Sequence, residues 1–260
     1  ISACLVGSEM CIRDRPCTYP DSLVGQAGYH MGDMACSIGQ HTWNAAVWSA
    51  HAATHAAALV LEGERATYAL CRPPGHHAYA DRANGFTYLN NAAIAAQYLR
   101  RQHPRVAILD VDVHHGNGTQ GIFWRRSDVL TLSLHGDPHF CTPFFTGHAH
   151  ERGEGEGLGY NLNYPLARGT GTDDYLHALA RACQAIRDFQ PGALVVALGL
   201  DAHERDPYKA LAVSTEGFAR ITGEIARLGL PTVFVQEGGY LSPDLPLNLA
   251  SALRGFEAVA

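Results

Sequence analysis

Several things are missing from this chain, and each absence narrows what it can be. Its seven cysteines, at positions 4, 11, 17, 36, 71, 141 and 183, form no Cys-x-x-Cys pair. An odd count without zinc-finger spacing fits reduced thiols in a cytoplasm-like compartment. No apolar run reaches the roughly 20 residues that a membrane span needs. The opening residues, Ile1 to Gly7, are short and lack a basic start, so no signal peptide is visible. Internal repeats and low-complexity linkers are absent. Charge is sparse at 17%, and the net balance of −6 argues against nucleic acid as a partner and favours cationic ligands. What the chain does have is apolar residues, 47% of 260, enough for one compact domain with an ample core. It also has 15 histidines, which cluster near glycines and acids.

From about residue 40 onward, apolar strands alternate with helical stretches. Thr42 to Leu61 is alanine-rich with a helical pattern that ends before Gly63. A short strand at 68–71 is stopped by Pro73-Pro74-Gly75, and Asn90 to Gln102 reads as a helix. Strands are expected at 106–113, 129–134, 193–200 and 232–236, and helices at 172–189, at 215–228 and from Leu245 onward. Thr172 can cap its helix, with Asp173 and Asp174 in the first turn. Short, nearly all-apolar strands between amphipathic helices describe a parallel sheet covered on both faces, an α/β fold. In such sheets, ligands bind outside the carboxyl ends of the strands. Polar clusters at 76–77, 110–114, 135, 201 and 237–240 each follow a strand, so one site accounts for all five. The stretch from His135 to Gly171 reads as a long loop with a functional role.

The decisive stretch is Asp110-Val111-Asp112-Val113-His114-His115-Gly116-Asn117-Gly118. Strand alternation puts Asp110, Asp112 and His114 on one side and the two valines on the other. Three ionisable groups at one strand end are costly to bury without a cation, which favours a metal site over a salt-bridged cluster. Asp201, after the strand ending Leu198-Gly199-Leu200, supplies a third ligand. Asp112, His114 and Asp201 then leave a position for water, as a catalytic zinc site requires. Two carboxylates make the set hard enough for iron(II) or cobalt as well.

Arg72-Pro73-Pro74-Gly75-His76-His77 presents two adjacent imidazoles on a rigid loop. Activating a water needs a base, and releasing an amine needs an acid. Asp110 would favour a charged imidazole on one histidine, while the neutral Asn117 would leave the other nearer its ordinary pKa. Gln236-Glu237-Gly238-Gly239-Tyr240 places a phenol beyond a strand, where its hydroxyl can donate to the oxyanion formed when water attacks an amide.

The motifs RPPGHHA, GFTYLNNAA, DVDVHHGNGTQ, GLDAHERDP and EGGY, in this order, resemble the zinc-dependent histone deacetylase superfamily over roughly residues 27–260. HGDP at 135–138, GEGEGLGYNLNYPL at 153–166 and Asn117 are similar to its acetylpolyamine amidohydrolase and class II deacetylase-like branch. The resemblance implies an arginase/deacetylase-like three-layer α/β/α sandwich on a mostly parallel sheet. It implies zinc on Asp112, His114 and Asp201, and an acid–base pair His76 and His77 backed by Asp110 and Asn117. Tyr240 would polarise the acetyl carbonyl, the Gly85 carbonyl would hold the substrate N–H, and Phe86 would line the acyl tunnel. A structural potassium ion would use Asp110, Asp112, His114, Ser133 and Leu134. A homodimer is implied as well.

The sequence departs from the family pattern in three places. Cys141-Thr142 stand where an aromatic pair is usual, so Phe140 or Phe144 must take over or the tunnel widens. The loop before the first helix offers Asp33 to a distal amine but no matching glutamate. Residues 1–16 match no family motif and are expected to be a separate segment before a single catalytic domain at 17–260, with no counterpart of the family's opening strand. The expected activity is removal of acetyl groups from small acetylated amines, with acetyl-lysine in proteins next. An arginase-like ureohydrolase with two manganese ions and a catalytically silent acetyl-amine binding module are the other readings. The former needs a further carboxylate that Asp201-Ala202-His203 lacks. The latter is opposed by the intact polar set.

Overall fold

The computed structural model describes residues 19–260, so the separate segment expected at 1–16 lies outside the described residues. Six strands form one all-parallel sheet: β1 (Ala66–Ala69), β2 (Val106–Asp110), β3 (Val129–Gly136), β4 (Asn161–Leu166), β5 (Ala193–Leu198) and β6 (Thr232–Gln236). Their spatial order is β1-β6-β5-β2-β3-β4. The helices are α1 (Leu23–Tyr29), α2 (Thr42–Leu61), α3 (Asn91–Leu99), α4 (Asn117–Phe123), α5 (Thr172–Phe189), α6 (Thr215–Ala226) and α7 (Leu245–Glu257).

Period-two alternation in the strands feeds two separate cores. Val106, Ile108, Val129, Ala193, Val195, Val233 and Val235 face α2 and α3. Ala107, Leu109, Leu132, Leu194, Val196, Leu198 and Phe234 face α5, α6 and α7. Both sheet faces are therefore covered, which gives the expected three-layer α/β/α sandwich. After β2 the chain moves outward through β3 and β4, then returns to lay β5 on the other side of β2. The carboxyl ends of β2 and β5 thus flank the point where strand order reverses, where open α/β sheets bind ligands.

The expected long loop at 135–171 is corrected by β4, which forms the outer edge of the sheet. The segment Asn161-Leu162-Asn163-Tyr164-Pro165-Leu166 has too little apolar content to read as a buried strand. Pro165 is tolerated because one side of an edge strand needs no donors. Asn161 and Asn163 turn inward and donate to the Gln120 side-chain oxygen at 2.8 Å each.

The strand expected at 106–113 ends at Asp110 for a local reason. Asp110 Oδ1 accepts the Asp112 N–H at 3.0 Å, and Asp112 Oδ1 accepts the His114 N–H at 2.9 Å. Side-chain oxygens that capture the second following N–H bend the chain into turns and out of the ladder. The two acids therefore lift themselves off the sheet edge. Gly116 and Gly118, expected only to break extension, open α4. A Cβ on Gly118 would come within 2.3 Å of the Ala78 carbonyl oxygen, so glycine permits this helix to lie against the histidine loop. α1 also had no counterpart in the sequence reading. Thr172 is the first residue of α5 and not its cap; Gly171 takes that place, and Thr172 Oγ1 accepts the Ser214 N–H at 3.2 Å. β1 lies two residues earlier than expected and β5 stops at Leu198, two residues short.

Helices α6 and α7 meet at Gly255, where a Cβ would stand 2.2 Å from the Ala219 carbonyl oxygen and 2.3 Å from its Cα. Backbone cannot yield as a flexible side chain can. Gly255→Ala is expected to cost about 1–3 kcal/mol of unfolding free energy through overpacking. Denaturant titration checks this, and an unchanged midpoint would show that the two helices separate freely.

Candidate active site

Asp112 and His114 come from the turns after β2, and Asp201 from the segment after the neighbouring β5. His114 Nδ1 lies 3.1 Å from Asp112 Oδ1 and 3.2 Å from Asp201 Oδ2. One ligand atom from each of the three residues lies within 4.8 Å of the others, and among the described residues this is the only such cluster of three or more. Each carboxylate is oriented by main chain. Gly238 N–H donates to Asp112 Oδ2 at 2.8 Å, and Val113 N–H donates to Asp201 Oδ1 at 3.0 Å. Asp201 Oδ2 is buried and makes no hydrogen bond.

Two glycines leave the space that the carboxylates fill. A Cβ on Gly199 would meet Asp112 Oδ2 at 2.2 Å, and one on Gly238 would meet Asp201 Oδ2 at 2.3 Å. Two buried acids and an imidazole, preorganised and with one oxygen unsatisfied, fit a divalent cation.

The two histidines of the neighbouring loop sit with ring centroids 4.0 Å apart but in opposite electrostatic surroundings. His76 Nδ1 is 2.8 Å from Asp110 Oδ2, and His77 Nδ1 is 2.6 Å from Asn117 Oδ1. Burial alone would lower the His76 pKa, but the Asp110 and Asp112 carboxylates outweigh it and raise it to about 10. Burial lowers the His77 pKa, and the neighbouring His76 and His114 lower it further. The pair therefore divides into an imidazolium and a neutral imidazole.

Tyr240 closes the opposite side, its ring 6.2 Å from that of His114. Burial and the Asp201 and Asp112 carboxylates raise its pKa, so the phenol stays a donor. Tyr208, which the sequence reading passed over, packs its ring edge-on against Tyr240 with centroids 4.6 Å apart.

Gly85 and Phe86 both adopt the left-handed region, with φ of 51° and 65°. A Cβ on Gly85 would meet His77 Cδ2 at 2.3 Å, so only glycine fits beside this ring. Phe86 is exposed. Asp33 lies beside this loop, but both its oxygens serve main chain: Oδ2 accepts the Gly85 N–H and Oδ1 the Ala35 N–H, each at 2.8 Å. Phe140 is half-buried against the core with the Arg168 guanidinium 4.4 Å above its ring. Phe144 is exposed at φ 67°. Ser133 Oγ is 2.7 Å from His135 Nδ1, and Leu134 is buried in the core. His203 faces Thr215 Oγ1 at 3.2 Å and, among the described residues, belongs to no cluster that could hold a metal ion. The structure thus brings Asp112, His114, Asp201, His76, His77, Asp110, Asn117 and Tyr240 together, with Gly85 beside them.

A family model described as histone deacetylase domain matches residues 11–256. An acetylpolyamine amidohydrolase of Burkholderia pseudomallei is 51% identical over 243 residues, covering 92% of this chain and 71% of that protein. Acetylpolyamine amidohydrolase 1 of Pseudomonas aeruginosa is 48% identical over 249 residues, with 95% and 71% covered. The crystal structure of the acetylpolyamine aminohydrolase from Burkholderia pseudomallei superposes with a TM-score of 0.89 at 51% identity, over 92% of this chain and 71% of that one. A shared domain, close relatives and a shared fold agree with the site built above: this chain belongs to the histone deacetylase family, in its acetylpolyamine amidohydrolase branch.

Proposed function

We propose that this protein is a metal-dependent amidohydrolase that removes acetyl groups from acetylated polyamines or similar small amines. The observation that carries the reading is the split histidine pair, one ring held by the Asp110 carboxylate and the other by the neutral Asn117 amide, beside three cation-ready ligands. Its relatives' names point the same way. Zinc suits one imidazole and two carboxylates, and iron(II) or cobalt would also fit. When bound, such an ion polarises water and the acetyl oxygen.

The chain's own residues supply the rest. His77, kept neutral by burial, takes a proton from the attacking water at its free ring nitrogen, while Asn117 holds the other. Tyr240 donates its hydroxyl to the acetyl oxygen as charge develops there. His76, kept protonated by Asp110, holds a proton next to the site, and an imidazolium of the pair protonates the departing amine. The Gly85 carbonyl would accept the substrate N–H, and Phe86, with Phe140 or Phe144, would flank the acyl-bearing chain. We assign structural potassium to Asp110, Asp112, His114, Ser133 and Leu134, largely through main-chain oxygens. The free thiols of Cys36, Cys71, Cys141 and Cys183 suit a reducing cytoplasm. Among the described residues, no helix is long and apolar enough to cross a membrane.

Purified protein with defined zinc is expected to turn over acetylputrescine and acetylspermidine faster than acetyl-lysine peptides; the reverse order would move the substrate class to proteins. Tyr240→Phe should lower kcat by about 10²–10³-fold, the cost of losing one oxyanion donor. Elemental analysis should find its metal content unchanged, and wild-type turnover would remove the phenol from the chemistry. Metal analysis of the wild type should give one catalytic divalent ion per chain, lost in Asp201→Ala. Two such ions would favour the ureohydrolase reading.

A further inference from the structure

The turn after β6 carries a buried acid to which the chemistry above gives no part. Glu237 directly follows Gln236, the last residue of β6, and is only 6% exposed. Its Oε2 accepts two main-chain hydrogen bonds from the histidine loop, from Gly75 N–H at 2.6 Å and from His76 N–H at 3.0 Å. Its own N–H is tied to the Leu198 carbonyl of β5 at 2.9 Å. The Oε1 atom is buried with no hydrogen-bond partner. Burial pushes the Glu237 pKa up to about 7 even though His76 and the two N–H groups favour the charged form. Burying a carboxylate in this way is unfavourable unless its bonds matter.

The loop it grips is also fixed from the far side. A Cβ on Gly75 would stand 2.4 Å from Asn91 N and 2.9 Å from the Leu89 carbonyl oxygen, so the loop is pressed against the start of α3. The His76 carbonyl accepts the Thr119 N–H at 3.1 Å, and its ring is held by Asp110. Glu237 is the restraint on the side of the sheet. Two further residues of the same short turn reach the site directly: Gly238 through its N–H to Asp112, and Tyr240 through its ring beside His114. The acid–base loop, a metal ligand and the phenol are therefore all referenced to four consecutive residues.

The geometry points to Glu237 as a positioning residue for the hydrolysis: its carboxylate fixes the main chain of Gly75 and His76, and through it both imidazoles, against the turn that carries Tyr240. This rests on the reading that the histidine pair and Tyr240 act on one substrate. In its ionised form Glu237 makes charge-assisted bonds to both N–H groups, roughly twice as strong as those of a neutral acceptor, so the kinetics are run above about pH 8. An amide keeps an acceptor oxygen of the same reach. The residue's signature is thus an ordered series: glutamate, then glutamine, then alanine.

The wild-type chain, Glu237→Gln and Glu237→Ala, each loaded with zinc, test this by acetylputrescine kinetics, metal analysis and residue-resolved amide hydrogen exchange. Glu237→Ala is expected to lose about 10- to 100-fold in kcat, the range set by sub-ångström to ångström misplacement of catalytic groups. Its KM should stay within about threefold and its metal content should be unchanged, because substrate binding and the ligands are untouched. Exchange at Gly75 and His76 should accelerate while the sheet amides keep their protection. Glu237→Gln should lose only about 2- to 5-fold in kcat, in line with a weaker acceptor. Wild-type kcat in Glu237→Ala, unaltered exchange at the two amides, or a glutamine variant as impaired as alanine would each overturn the proposal. If alanine does not fold, the glutamine variant decides: unchanged kcat and unchanged exchange at Gly75 and His76 overturn it. A wild type with no turnover would instead sink the deacetylase reading, and the exchange data would still judge the clamp.

Discussion

Asp112 and Asp201 are buried next to each other with a single imidazole between them, and two like charges in such a place repel strongly. Nearly every unusual feature around them answers that problem. Main-chain N–H groups of His114, Gly238 and Val113 point at their oxygens. The His76 imidazolium lies with Nε2 3.8 Å from Asp112 Oδ1. The buried Tyr175 of α5 donates to the Val111 carbonyl at 3.3 Å, bracing the turn from below. The sheet makes the pairing possible, because β2 and β5 run parallel in register and release their chains at the same level. What these groups leave uncompensated is a gap in positive charge that fits a divalent cation.

The same field separates the two histidines. Adjacent imidazoles at a centroid distance of 4.0 Å cannot both carry a proton cheaply, so small differences in partner decide which one does. Asp110 makes that difference large by sitting behind only one of them. The residue pair is symmetric in the sequence and asymmetric in the fold, and the proposed acid–base chemistry depends on that asymmetry.

Much of this was legible in the sequence because the signals were dense. Apolar runs such as Ala193–Leu198 and Thr232–Gln236 could only be buried strands, and every polar cluster followed one of them. The ligand set and the histidine pair were visible as residue types at strand ends. β4 was hidden because an edge strand needs only half its side chains apolar, and its asparagines answer to a polar network around Gln120 that spans about forty residues of sequence. α4 was hidden because its glycines signal a break locally, whereas contact with the histidine loop requires them. Asp33 shows a different limit. Its position in the loop before the first helix does not tell that each of its oxygens accepts a main-chain N–H. Glu237 stood in plain view within EGGY, yet nothing in that string tells which distant N–H groups it receives.

Gly199 and Gly238 define the candidate metal chamber by what they omit. Each lies across from a carboxylate oxygen at a distance no larger than a bond and a half from where a methyl group would be. The chamber can therefore be plugged from its walls, leaving all three ligands chemically intact. Loss of activity in such a molecule would not be betrayed by any change in the signature residues, so an intact motif alone does not certify a working enzyme in this fold.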